Sequence, residues 1–164
     1  MRTLFVPKNF NLPIEKILGE YKLVLITTDE TKEDWDILIK NADMIVKQRG
    51  GGSRKDWPYS CTLEEDYKDL AWLELCALYR QLFCYIIRDK KTNIYLGAVY
   101  IYPIELFFSE KADKYDVDLS FWIVESEFNK GKYKHVAEQL TSWLKKDWPF
   151  KKERIYFRNQ LKVS

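Results

Sequence analysis

The chain has 164 residues, the size of one domain and long enough to bury a core without disulfides or a structural metal. Hydrophobic residues make up 46% and aromatics 16%, which excludes a disordered chain and points to a bulky core. The 27 Lys and Arg stand against 25 Asp and Glu, for a net charge of +2, and form no basic stripe of the kind a duplex binder carries, so nucleic acid is excluded as a partner.

The three cysteines, Cys61, Cys76 and Cys84, are odd in number and widely spaced, which fits neither a disulfide framework nor a zinc site. The single histidine, His135, falls inside an amphipathic helical pattern. A histidine metal cluster and a Ser-His-Asp triad are therefore not expected. No signal peptide opens the sequence, and no segment approaches the ~20 apolar residues of a membrane span. With reduced thiols, this reads as a cytoplasmic protein with no membrane partner.

In chain order, residues 1–20 carry Pro7 and Pro13 and read as an N-terminal arm on a single domain covering 1–164. The stretch 21–27 is apolar on both faces, as in a central strand. A helix follows, with Trp35, Leu38, Ile39, Ala42, Ile45 and Val46 on one face, and Gly50, Gly51 and Gly52 end it. Thr62 and Glu65 form a capping box that opens a second helix running to about 81. The period then changes. Segments 83–88 and 94–102 read as two strands of an antiparallel hairpin, and Pro103 stops the second.

Residues 116–123 alternate, with Val117, Leu119, Phe121 and Ile123 on one face and Asp116, Asp118, Ser120 and Trp122 on the other. A third helix over about 130–146 has Tyr133, Val136, Ala137, Leu140, Trp143 and Leu144 on its apolar face, and 154–158 is the last strand. The order is β-α-α-β-β-β-α-β. Its final strand-helix-strand unit makes a right-handed parallel crossover. The fold class is α/β, a mixed, mostly antiparallel sheet with helices on both faces.

That order resembles the core of the GNAT family of acyl-CoA N-acyltransferases. The likeness is local as well. Leu96-Gly97-Ala98-Val99-Tyr100-Ile101 resembles the family's "GxVxI" hairpin arm. Asp118-Leu119-Ser120-Phe121-Trp122-Ile123-Val124 resembles its acidic and aromatic fourth strand, and Glu127 to Lys134 resembles the Gly-containing turn that opens its third helix. Along most of the chain the sequence looks like a subgroup marked by Pro and Trp landmarks: Phe5-Val6-Pro7, Phe10, Pro13, Trp57-Pro58, Tyr100-Ile101-Tyr102-Pro103 and Trp148-Pro149-Phe150. It departs from the family's Gln/Arg-x-x-Gly-x-Gly/Ala signature. Only Gly131 matches, with Phe128 at the Gln/Arg place and Tyr133 at the second glycine. The family's fourth helix and last two strands have no counterpart in this sequence.

The resemblance implies transfer of an acetyl group from acetyl-CoA to a primary amine, or, in the alternative, a non-catalytic protein that binds a CoA-like ligand or a protein partner. It implies pantetheine along Phe121, Trp122, Ile123 and Val124, and pyrophosphate at Phe128, Asn129, Lys130, Gly131, Lys132 and Tyr133. Asp118 stands where many members carry a Glu and is the expected base, with Tyr100 as acid. The edge of the strand at 154–158 is expected to be covered by a second copy, as a homodimer, or by the N-terminal arm.

Overall fold

The computed structural model describes residues 4–163. Its strands are β1 (Glu15–Leu18), β2 (Tyr21–Leu25), β3 (Phe83–Asp89), β4 (Tyr95–Pro103), β5 (Val117–Ile123) and β6 (Ile155–Phe157). They form one six-stranded sheet in the order β1-β2-β3-β4-β5-β6. Every neighbouring pair is antiparallel except β5 and β6, which run parallel from Val117 opposite Ile155 to Leu119 opposite Phe157. The helices are α1 (Thr31–Lys40), α2 (Ala42–Arg49), α3 (Leu63–Leu78), α4 (Glu125–Asn129) and α5 (Tyr133–Asp147). The mixed sheet and the parallel crossover through α5 are as the sequence implies.

The element order differs in three places. The expected arm over 1–20, whose residues 1–3 lie outside the described part, ends in β1. A two-residue turn at Gly19 and Glu20, with Gly19 at φ +58°, folds β1 onto β2. The first expected helix is broken at Asn41. Its side-chain amide donates to Ile37 O at 2.9 Å and its Oδ1 accepts from Glu125 N at 2.8 Å, so a side chain takes part in the bonding that would continue the helix. The third expected helix is also two helices. Gly131, at φ +76°, donates to Phe128 O, and Lys132 donates to Glu127 O, the paired bonds of a left-handed helix cap that closes α4 before α5 begins.

The sheet separates two layers. Tyr85, Val99 and Phe121 lie side by side on one face, where α5 buries Tyr133, Val136, Ala137, Leu140, Trp143 and Leu144. Cys84, Tyr100 and Ser120 make a row on the other face, toward the end of α2 and toward α3. The capping box of α3 is present: Thr62 N donates to Glu65 Oε2 at 2.9 Å and Glu65 N to Thr62 Oγ1 at 3.1 Å.

The scattered Pro and aromatic landmarks meet in one cluster. Phe5 packs on Phe150 and Phe10 on Trp148, while Arg80 donates to the carbonyls of Pro7 and Phe10 and Tyr85 to that of Pro13. The arm thus lies against Phe83, Trp148 and Phe150 and does not serve as the expected cover of β6. Tyr156 of β6 is flanked instead by Phe108 and Tyr115. No helix among the described residues is long and apolar enough to cross a membrane.

The tightest approach between strands is at Gly97 on β4. A Cβ there would lie 2.1 Å from the carbonyl oxygen of Trp122 on β5. Backbone cannot yield as a flexible side chain can. Gly97→Ala is expected to destabilise the fold by about 3 kcal/mol. Urea unfolding measures it, and an unchanged midpoint would contradict the packing described.

Candidate active-site cleft

β6 follows β5 for three residue pairs and parts from it after Leu119, whose carbonyl still accepts from Arg158 N. Beyond that point the β5 backbone groups facing away from β4 belong to Phe121 and Ile123. A buried N–H or C=O needs a partner. Here two side-chain amides supply it. Asn159 donates to Phe121 O at 2.9 Å and accepts from Phe121 N at 3.0 Å. Gln48, near the end of α2, donates to Ile123 O at 2.8 Å and accepts from Ile123 N at 2.9 Å. Gln160 N donates to Gln48 O, which joins the two. Of the expected pantetheine strip, Phe121 and Ile123 therefore carry these amides. Trp122 points to the opposite face, and Val124 N is bonded to Leu96 O.

The expected phosphate turn is built otherwise than as a glycine loop. Gly131 is required by the left-handed cap of α4, and a Cβ there would meet nothing within 4 Å. Phe128 packs edge-on against Tyr133, with Lys47 over its ring, and Asn129 is the last residue of α4. Tyr133 points into the core, stacked on Phe121 at 5.0 Å. Lys130 pairs with Glu127 at 3.1 Å and Lys132 with Glu20 at 3.4 Å. The first α5 bond runs from Val136 N to Lys132 O, so the N–H groups of Tyr133, Lys134 and His135 are the helix's open donors.

Asp118 and Tyr100 lie on the Ser120 face. The sequence suggests an Asp118 carboxylate open to the cleft. The structure shows it buried, with Arg158 Nε 3.0 and 3.1 Å from its two oxygens and a further bond from the same guanidinium. An arginine 40 residues along the chain, directly after β6, fills the space a substrate would need. Tyr100 accepts from Trp122 Nε1 at 3.0 Å, and burial raises its pKa far above that of an ordinary phenol. It keeps its proton.

Between this face, α1, α3 and the loop at 51–57 lies a cavity of about 220 Å³. The sequence reading missed its charged groups. Arg49, the last residue of α2, enters it with Nε 3.1 Å from Ser120 Oγ and its guanidinium over the rings of Tyr100 and Trp57. On α1 and α3, Asp34 and Asp66 line another part of the cavity. Asp34 accepts from Tyr95 OH, whereas Asp66 Oδ2 is buried and unbonded. Burial raises the pKa of both carboxyls, and the neighbouring Asp34 raises that of Asp66 further while Asp66 lowers that of Asp34, so the pair retains a proton, held on Asp66. The sequence did hold a signal. Asp34 stands four residues before Leu38, and Asp66 four and seven before Leu70 and Leu73, which places an acid on each apolar stripe.

Cys61, Asp66 and Asp69 also bring possible metal-ligating atoms within 4.8 Å of one another. The cation there is Arg54, which donates to both Asp69 oxygens at 2.7 Å and reaches Cys61 Sγ at 3.8 Å.

No family model and no curated protein matches the sequence. Solved structures do. Ribosomal-protein-S5-alanine acetyltransferase from Vibrio fischeri matches with a TM-score of 0.59 at 15% identity, over 82% of this chain and 68% of that one. The ribosomal alpha-N-protein acetyltransferase RimL, in complex with coenzyme A, gives 0.56 at 18% identity, over 80% and 66%. Mycobacterium smegmatis RimJ in complex with CoA-disulfide gives 0.57 at 9% identity, over 81% and 60%. The chain has the fold of the GNAT acetyltransferases, and it spans about two thirds of the length of these structures.

The Asp34–Asp66 pair has a pH signature. The folded state keeps a proton that the unfolded chain has released above about pH 4, so this pair weakens the fold as pH rises through the interval from there to its raised pKa. Asp66→Asn is expected to melt higher than wild type at pH 8 and to lose most of that advantage at pH 4. Thermal melts at the two pH values check it, and an equal advantage at both would contradict the pairing.

Proposed function

We propose that this chain is an N-acetyltransferase that takes acetyl-CoA along β5 and acetylates an amine held in the cavity beside Tyr100. The observation that carries the reading is the edge of β5 beyond Leu119, where Phe121 and Ile123 face no strand and are bonded only by the amides of Asn159 and Gln48. A pantetheine arm has two amides. Exchanging side-chain amides for ligand amides conserves the hydrogen bonds, so displacement costs little by that count. RimL and RimJ, which share the fold, were solved with coenzyme A and CoA-disulfide, which supports a CoA-type ligand.

In this reading Phe121, Trp122, Ile123 and Val124 hold the arm. The turn from Phe128 through Asn129, Lys130, Gly131 and Lys132 to Tyr133 holds the pyrophosphate, with the open N–H groups of α5 and the lysines supplying positive charge. Acetyl-CoA supplies the activated acetyl group. The chain's own groups manage the protons. The Asp34–Asp66 pair, lining the cavity, takes the proton that the acceptor ammonium must lose. Tyr100 serves as donor. Asp118 is assigned to holding Arg158 in place, because both of its oxygens are bonded there.

A second reading draws on two of the same facts. With the β5 edge already satisfied and Asp118 paired, the fold also suits a non-catalytic protein that binds a CoA-like ligand or a protein partner.

Isothermal titration with acetyl-CoA and thiol release with a panel of amines test these readings. Wild type is expected to bind acetyl-CoA and to release thiol when the right amine is present. Gln48→Ala is expected to lower the melting temperature, because it leaves Ile123 unsatisfied, and to tighten acetyl-CoA binding up to about tenfold, because the ligand restores those bonds. Binding without thiol release from any amine favours the non-catalytic reading. No binding at millimolar ligand in either protein overturns both as far as the cofactor is concerned.

A further inference from the structure

The cavity is lined by three arginines, and two of them have carboxylate partners: Arg54 has Asp69 and Arg158 has Asp118. Arg49 has none among the described residues. It is 5% exposed, and Ser120 Oγ is its one side-chain hydrogen-bond partner there. A buried charge without a counter-ion is unfavourable. Burial accordingly pushes the Arg49 pKa below the ordinary arginine value. Its guanidinium lies 4.4 Å from the Tyr100 ring centre and 5.7 Å from that of Trp57, with no hydrogen bond from its terminal nitrogens among the described residues. A planar fork in this state matches a carboxylate, which can accept two parallel bonds from it.

A second feature has the opposite sign. Asp66 Oδ2 is buried and part of the same cavity wall, with the Asp34 carboxyl beside it and no other partner among the described residues. Leu38, Tyr102 and Phe107 add apolar surface to the wall. The cavity thus offers a free cation, an acidic pair that can accept a proton, and a greasy lining.

We propose that the acceptor is a free amino acid, bound with its carboxylate on Arg49, its amine toward Asp66 and its side chain on the apolar wall. This rests on the acetyltransferase reading. The cavity of about 220 Å³ has room for a small or medium amino acid. A protein N-terminus would bring a peptide amide where the carboxylate belongs and leave Arg49 uncompensated. Sites built around a buried polar group reject ligands that lack its partner.

Calorimetric titration without any thioester tests the proposal. The probes are L-valine, L-leucine and L-phenylalanine, each compared with its own amino-acid amide, which keeps the amine and loses the carboxylate. At least one free amino acid is expected to bind wild type at least tenfold more tightly than its amide. Arg49→Met is expected to abolish that preference, and Arg49→Lys to keep part of it. If Arg49→Met does not fold, the comparison of acid with amide on wild type still decides. Equal binding of acids and amides overturns the proposal, as does binding of no amino acid by a wild-type protein that binds acetyl-CoA. The latter outcome leaves the acetyltransferase reading standing, whereas loss of acetyl-CoA binding alone strikes that reading and not the Arg49 site.

Discussion

A strand that loses its neighbour halfway must find partners for the backbone groups it leaves behind, and at β5 that requirement organises the whole cleft. β6 pairs only as far as Leu119. Gln48 and Asn159 complete the strand, and each is followed or preceded by an arginine. Gln48 sits on the edge and Arg49 turns into the cavity. Asn159 sits on the edge and Arg158 turns to Asp118. In both dipeptides one side chain satisfies the strand and its neighbour delivers charge to the Ser120 face. Docking of α2 and of the segment after β6 is therefore also the placement of the two guanidinium groups.

Charge in the cavity is unequal between its parts. Asp118 is paired with Arg158 and no carboxylate among the described residues is paired with Arg49, which leaves an excess of one positive charge beside Tyr100. On the α1 and α3 side, Arg54 is matched by Asp69, and Asp34 restrains the ionisation of Asp66. The separation follows from which elements supply the residues. α2 and the segment after β6 carry the basic groups, while the acids stand on the inward stripes of α1 and α3.

Patterns with a short period were legible in the sequence. The alternation from Val117 to Ile123, the Thr62–Glu65 box, the hairpin of β3 and β4 and the six-residue apolar face of α5 all follow from rules acting over a few residues. β1 was not legible, because its pattern is only half-buried and it forms through the turn at Gly19. Asn41 reads as an ordinary polar residue until Glu125, far along the chain, donates to it. Gly131 was assigned to phosphate because the family uses a glycine there, whereas its φ of +76° already accounts for it. The pairing of Asp118 with Arg158 was not legible, because the two stand 40 residues apart, and Arg49 was overlooked because its significance lies in what it does not contact. Partnerships across long stretches of sequence, and their absence, leave no local trace.

The amide closure of β5 sets this stretch apart from the rest of the sheet in hydrogen exchange. Strands β2 to β4 hold their N–H groups through ladders that open only when neighbouring strands separate. Phe121 and Ile123 are held by buried side chains 38 and 75 residues away in sequence, so their exposure depends on those side chains and not on the parting of two strands. Their amide hydrogens can reach solvent without disturbing the sheet. Exchange at this strand end is thus governed by two side chains, along the edge where a ligand would have to enter.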